Sequence, residues 1–305
     1  MVDVKRRSTA PVAAMLAVAF VLVGAYAFGT YSGVKQLWPV SALKRLAHPP
    51  VKGAIVTDRL GRLIEYPGKQ LLPCPLQTPD TAVLLVAGQS NSGNHQGQKY
   101  KAIDARVVEF FDGRCYAAES PLLGSTGETG ESSTLLGNKL VEAGLYRPVV
   151  IVPAAVGPSA IHRWATGGDL NAMLMSVIDQ AKPVYAITQV LWHQGESDFL
   201  EDTPGDRYAA DFHSLADSLR ADGVAAPVYV SVASFMGYVK PWVSDNPTML
   251  AQRSLPDGKT IFAGPDTDTI TISDRFGGIH FSARGQERLA TLWLDALRAS
   301  KQPAR

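Results

Sequence analysis

The sequence predicts an α/β fold in which a parallel sheet is covered on both sides by helices. Apolar runs of strand length recur at residues 81–87, 107–111, 149–152, 185–191 and 228–232, with a weaker run at 260–262. Most are continuously apolar rather than alternating, the pattern of strands buried on both faces. Helical spacing separates several of them, at Leu170, Met173, Leu174, Val177 and Ile178, at Tyr208, Phe212, Leu215 and Leu219, and at Leu289, Leu292, Trp293, Ala296 and Leu297. Strands and helices in alternation are the signature of a parallel sheet, because a parallel crossover needs a long connection.

Taken in chain order, the first element is an N-terminal transmembrane helix. Lys5, Arg6 and Arg7 precede an uncharged stretch at 10–28, close to the ~20 residues that span a bilayer. Basic residues before the run place the N-terminus in the cytoplasm and the body outside, in a periplasmic setting. Residues 1–29 are therefore read as cytoplasmic tip and anchor. Ala25-Tyr26-Ala27 also satisfies the small-x-small cleavage rule, so a cleaved signal peptide and a secreted body remain the alternative. Residues 30–80, with prolines at 39, 49, 50, 67, 73, 75 and 79, read as a stalk. Within it, runs at 54–57 and 63–66 flank Asp58-Arg59-Leu60-Gly61-Arg62 and predict a small hairpin with Gly61 at positive φ. Residues 81–300 form the predicted catalytic domain.

Composition narrows the function. An apolar fraction of 46% with 19% charged residues in a chain of 305 fits one large core. The 29 basic and 28 acidic residues leave a net charge of +1 and no long block of one sign, which excludes nucleic acid as a partner. Cys74 and Cys115 match no zinc or redox spacing. No metal site is expected, and the two are either one disulfide of an exported protein or two separate thiols. Gly258-Lys259-Thr260 lacks the glycine that a phosphate-binding loop needs, since Arg253 stands there. Neither nucleotide nor any other cofactor is implied. Gly-x-Ser-x-Gly is absent from the sequence.

Chemistry concentrates in three segments. Gly88-Gln89-Ser90-Asn91 follows the first core strand, Trp192-His193-Gln194-Gly195-Glu196-Ser197-Asp198 follows the fourth, and Gly278-Ile279-His280-Phe281-Ser282 precedes the last helix. A doubly wound sheet gathers such segments at the carboxyl ends of its strands. A serine hydroxyl needs a base to take its proton, and a neutral imidazole suits that task at physiological pH. Ser90 and His280 are the candidates for these roles. The Ser90 N–H, a glycine N–H and the Gln194 amide are candidate donors to a tetrahedral oxyanion.

These residues resemble the SGNH (GDSL-type) hydrolase superfamily, and within it the sialate O-acetylesterase and carbohydrate acetylesterase branch. Gly-Gln-Ser-Asn and the Trp-His-Gln-Gly-Glu-Ser-Asp block carry the resemblance. Pro121-Leu122 with Gly127 and Gly130, Ser159-Ala160-Ile161 with Trp164, Gly264-Pro265-Asp266-Thr267-Asp268 and His280-Phe281-Ser282 support it. The resemblance implies a flavodoxin-like three-layer α/β/α sandwich, Ser90 as nucleophile, His280 as base, and an oxyanion hole of Ser90, Gly130 and Gln194. Gly130 is preferred to Gly127. Asn94, Ser159 and Trp164 are candidate substrate contacts, although a packed tryptophan is the plainer reading of Trp164. His95 is a further pocket-lining candidate, and His193 a structural one.

One departure bears on mechanism. The family's orienting aspartate stands three residues before the histidine, and here that position is Gly277. Glu196 is the candidate replacement. A backbone carbonyl serving a Ser–His dyad, Asp274 reached through a folded-back loop, and a dead site are the others. The expected function is a serine esterase removing O-acetyl groups from carbohydrate. A membrane-tethered glycan O-acetyltransferase and a non-catalytic glycan-binding protein are the alternatives.

Overall fold

A computed structural model describes residues 25–26 and 53–301. Apart from Ala25 and Tyr26, the predicted anchor lies outside the described residues, as does the stalk up to residue 52. Among the described residues no helix is long and apolar enough to cross a membrane.

The compact unit Ile55–Arg305 opens with the expected hairpin, β1 (Val56–Thr57) against β2 (Leu63–Glu65). Asp58 builds its turn by accepting the Leu60 and Arg62 N–H groups and pairing with the Arg62 guanidinium, while Gly61 takes φ 78°. Next come β3 (Leu71–Leu72), β4 (Ala82–Gly88), β5 (Val107–Phe111) and β6 (Arg114–Ala117). They are followed by α1 (Ser133–Glu142), β7 (Val149–Ala155), α2 (Asp169–Ala181) and β8 (Gln189–His193). The chain continues through α3 (Glu196–Leu200), α4 (Gly205–Ala221), β9 (Val228–Val232), α5 (Pro247–Ser254) and β10 (Ile261–Asp266). It closes with β11 (Arg275–Phe276), β12 (His280–Phe281) and α6 (Ala283–Lys301).

The main sheet has eight strands in the order β10-β9-β8-β4-β7-β5-β6-β3. The strands from β10 to β5 pair in parallel, as expected. The β6 and β3 edge is antiparallel, which corrects the all-parallel expectation. The cause is Asp112-Gly113, both at positive φ (49° and 74°), a two-residue hairpin turn that folds β6 back on β5. β3 then pairs with β6, so the second half of the predicted stalk belongs to the domain. Burial explains why. Leu63 is enclosed, Lys69 pairs with the buried Glu109, and Cys74 forms a disulfide with Cys115. Closing a loop between residues 41 apart in sequence in this way constrains the unfolded chain by about 4 kcal/mol.

Alternate residues of β4 feed two cores. Val83, Leu85 and Ala87 pack with α2 and α4 through Leu174, Ile178, Phe212 and Leu215. Ala82, Leu84 and Val86 pack with α1 and α6 through Leu136, Leu140, Leu289 and Trp293. The result is the three-layer sandwich. The strands that follow β4 in sequence lie on its β7 side, and from β8 onward they lie on the other. The carboxyl end of β4 is thus a topological switch point, where crevices form in such sheets.

Candidate active site

β4 ends at Gly88 (φ 132°), where an added Cβ would stand 2.1 Å from the His193 carbonyl oxygen. Only glycine lets β4 and β8 converge this closely. The Gln89 N–H donates to that carbonyl (3.1 Å), and Ser90–Ser92 turn immediately into a 3₁₀ helix. Ser90 is 7% exposed. The loop after β7 backs onto it: a Cβ on Gly157 would meet the Ser90 N, Cα and Cβ at 2.5–2.6 Å. Thr126 Oγ1 secures this loop by accepting the Gly157 N–H (3.0 Å).

His280 arrives from another direction, on the β11–β12 hairpin. The Ile279 N–H donates to the Phe276 carbonyl, and the two residues between them, Gly277 and Gly278, have φ 59° and 74°. That pattern fits a type I′ turn, which glycine adopts without strain. Position 277 therefore serves the turn. Asn91 Nδ2 donates to the Ile279 carbonyl (3.3 Å), and the Gly97 N–H to that of Phe281 (2.9 Å), tying the hairpin to the segment after Ser90. Beneath the hairpin the buried Arg275 donates to the carbonyls of Ile270, Ile279 and Thr267 at 2.6–2.9 Å and lies against the rings of Phe281 and Phe235. Burial lowers its pKa to about 10, against the favourable fields of Glu196 and Asp268.

The half-buried His280 ring stacks on His95 (5.6 Å between centroids, 21° between planes) and leans on Phe276 (5.7 Å). Burial, then His95 and Arg275, pull its pKa down to about 4. The imidazole is neutral at physiological pH and can accept a proton. No hydrogen bond to the ring is present among the described residues.

The other expected site residues are placed as follows. Glu196 is buried at the start of α3, where Oε1 accepts from Asn91 Nδ2 (2.8 Å), and burial raises its pKa. It orients Asn91, the residue after Ser90, and among the described residues makes no hydrogen bond to His280. Asp274 is held by Arg284 and Arg288 of α6, whose bonds lower its pKa. Gln194 is also committed, its Nε2 donating to the Ser159 carbonyl (2.9 Å) and to the Asp198 carboxylate. The Gly130 N–H donates to the Gln96 carbonyl (2.8 Å). Gly127, the glycine ranked second by sequence, keeps its N–H free of such a bond, and a Cβ there would lie 2.9 Å from the His95 ring. Asn94 exchanges hydrogen bonds with the Leu122 backbone, Ser159 accepts from Trp164 Nε1, and Trp164 packs edge-on against Trp192. All three are buried.

The residues that sequence reading missed are Gly157, Thr126 and Arg275. Gly157-Pro158 just beyond a core strand was the available signal for the first. The other two act through backbone carbonyls and amides whose positions no local pattern reveals.

A family model described as carbohydrate esterase, sialic acid-specific acetylesterase, matches residues 80–298. The chain belongs to this family. Acetylesterase membership supports a hydrolase acting on esters, with Ser90 and His280 inside the matched region. Probable carbohydrate esterase At4g34215 of Arabidopsis thaliana is 32% identical over 94 residues, which are 29% of this chain and 36% of that protein. The chain thus matches about a third of the length of this curated relative. The solved structure of the Arabidopsis protein superimposes with TM-score 0.60 at 20% identity, covering 73% of this chain and 99% of that one. NanS superimposes with TM-score 0.50 at 16% identity, covering 73% and 98%. These two likenesses show the shared fold.

Proposed function

We propose that the protein is a serine esterase that removes O-acetyl groups from carbohydrate, with Ser90 as nucleophile and His280 as base. The observation that carries this reading is a neutral imidazole on a hairpin tied by Asn91 to the turn that bears Ser90. Ser90 Oγ attacks the acyl carbon while His280 takes its proton. The oxyanion is met by backbone donors, of which the Ser90 N–H, at the open start of its 3₁₀ turn, and the Gly127 N–H make no other bond among the described residues. Collapse breaks the bond to the sugar oxygen, which leaves with the proton from His280. Water then gives a proton to His280 and attacks the acyl-enzyme; collapse breaks the bond to Ser90 Oγ, which takes that proton back from His280, and acetic acid leaves and ionises to acetate.

Purified full-length chain is assayed on p-nitrophenyl acetate and on O-acetylated sugars beside Ser90→Ala and His280→Ala. Turnover lost in both variants is the expected result. Folded wild type no faster than Ser90→Ala on either substrate overturns the reading. Glycan binding without catalysis would then take its place, a second reading favoured by the lack of a carboxylate on His280. An exported location remains part of the proposal, supported by the basic residues before 10–28 and by a disulfide suited to oxidising surroundings.

A further inference from the structure

We propose that His95 is a positioning residue for His280, holding the base by ring stacking where related enzymes use a carboxylate. This rests on the esterase reading for its functional meaning. A catalytic imidazole must be fixed in orientation, since misplacing a reacting group by about 1 Å can cost on the order of 100-fold in rate. In this site neither Glu196 nor Asp274 makes a hydrogen bond to the ring, and Gly277 is taken up by a turn. What does meet the ring is His95 on one side, with nearly parallel planes, and Phe276. Offset stacking at this separation is a favourable aromatic geometry.

His95 is itself held. Its Nε2 lies 3.0 Å from Thr126 Oγ1, the same hydroxyl that accepts the Gly157 N–H. Gly157 in turn lies against the Ser90 backbone. One hydroxyl therefore sets both the loop behind the nucleophile and the ring beside the base. With Thr126 Oγ1 accepting from Gly157, its own proton is free to bond His95 Nε2, which leaves the other His95 nitrogen protonated. Burial lowers the His95 pKa, so this ring is neutral as well. The charged or titratable groups acting on His280 are His95, from the segment after β4, and Arg275, from β11. Glu196 and Asp268 act on Arg275 rather than on the imidazole.

The test compares His95→Ala, which removes the stack, with His95→Phe, which keeps a ring and loses only the Thr126 bond. Thermal unfolding confirms that each variant is folded. For p-nitrophenyl acetate, His95→Ala is expected to lower kcat about 100-fold with little change in KM, and His95→Phe to recover most of that loss. The acid limb of kcat/KM moves to higher pH in His95→Ala, because the opened His280 ring returns toward its ordinary value, and stays low in His95→Phe. NMR titration of His280 in the three proteins reads the same shift without turnover. A folded His95→Ala with wild-type kcat and an unmoved His280 titration overturns the inference, as does His95→Phe as slow as His95→Ala. Should wild type prove no faster than Ser90→Ala, the esterase reading fails alone, and the titration still decides whether His95 holds the ring.

Discussion

Ser90 and His280 stand on segments tied together through Asn91 and Ile279, but they are held by different means. On the Ser90 side, position comes from backbone: the close approach of β4 to β8 at Gly88, the 3₁₀ turn, and Gly157 pressed against the serine. On the His280 side it comes from side chains, with Arg275 gripping carbonyls below the hairpin and His95 and Phe276 framing the ring. A sheet edge is a rigid support, whereas a hairpin with a two-glycine turn must be braced by its neighbours. The Ser90 side should therefore fail abruptly when a glycine gains a methyl group, and the His280 side more gradually as braces are removed.

The sharpest way to break this contrast is Gly157→Ala. Its methyl group would overlap the Ser90 backbone at 2.5–2.6 Å, so kcat/KM on p-nitrophenyl acetate is expected to fall by about 100- to 1000-fold, as when an oxyanion donor is lost. Gly277→Ala is the matched control. A Cβ there meets nothing within 4 Å, leaving only the left-handed backbone cost of about 1–2 kcal/mol, read as a lower Tm with activity largely kept. Equal loss of activity in the two variants would remove the distinction.

Next in size is Arg275→Met. Three carbonyls lose a donor; those of Ile279 and Thr267 keep Asn91 Nδ2 and the Ile270 N–H, while that of Ile270 is left unsatisfied, at a cost of about 1–3 kcal/mol in stability. Denaturant melts should show that loss, and kcat should drop about tenfold as the hairpin loosens. An unchanged melt would mean that the guanidinium braces nothing.

A third measurement is the pH profile. A base with its pKa lowered to about 4 is unprotonated above that value, so kcat/KM should hold from pH 7 to 5 and decline as pH falls through about 4. Stability runs the same way. The buried His193 and the half-buried His280 have folded values of about 3 and 4, below the ordinary value of 6.5 for an unfolded chain. The unfolded state then binds protons first, and stability is lost progressively below about pH 6.5. An acid limb near 6.5 would show that the ring is wetter and less confined than its surroundings imply.

The smallest expected effect is that of Glu196→Gln. The carboxylate serves as an acceptor for Asn91 Nδ2, and a glutamine oxygen preserves that bond. Activity is expected within about threefold of wild type, whereas neutralising a triad acid costs about 10,000-fold. A loss of that larger order would restore Glu196 as the partner of His280.

How much of this was legible in the sequence differs by region. Continuous apolar runs mark most of the six parallel strands, because burial on both faces leaves no alternation to confuse the reading; β10, at the end of the sheet and partly exposed, is the weaker run. The fourth run began too early, since Tyr185 closes α2 through the Ala181 carbonyl and donates its hydroxyl to the Pro75 carbonyl before the strand starts. The short helices α3 and α5 were missed because five and eight residues carry too little period. The antiparallel edge is signalled by Asp112-Gly113, whose positive φ angles turn β6 back on β5. Ser90 and His280 stood out by position and motif. Gln194, Gly130, Asn94, Ser159 and Trp164 shared those motifs, yet each spends its polar groups inside the fold.

By itself the sequence determined the layered α/β architecture, the serine at the end of the first core strand and the histidine before the last helix. Hydrophobic periodicity and chain order decide these, and both are local properties. Only the tertiary structure decided what stands behind each group: that Glu196 meets Asn91, that Gly157 lies on Ser90, and that His95 stacks on His280. The physical reason is that hydrogen-bond and ring partners are chosen by where distant strands end. Residues 91 and 196, like 95 and 280, meet because β4, β8 and the β11–β12 hairpin deliver their ends to one crevice.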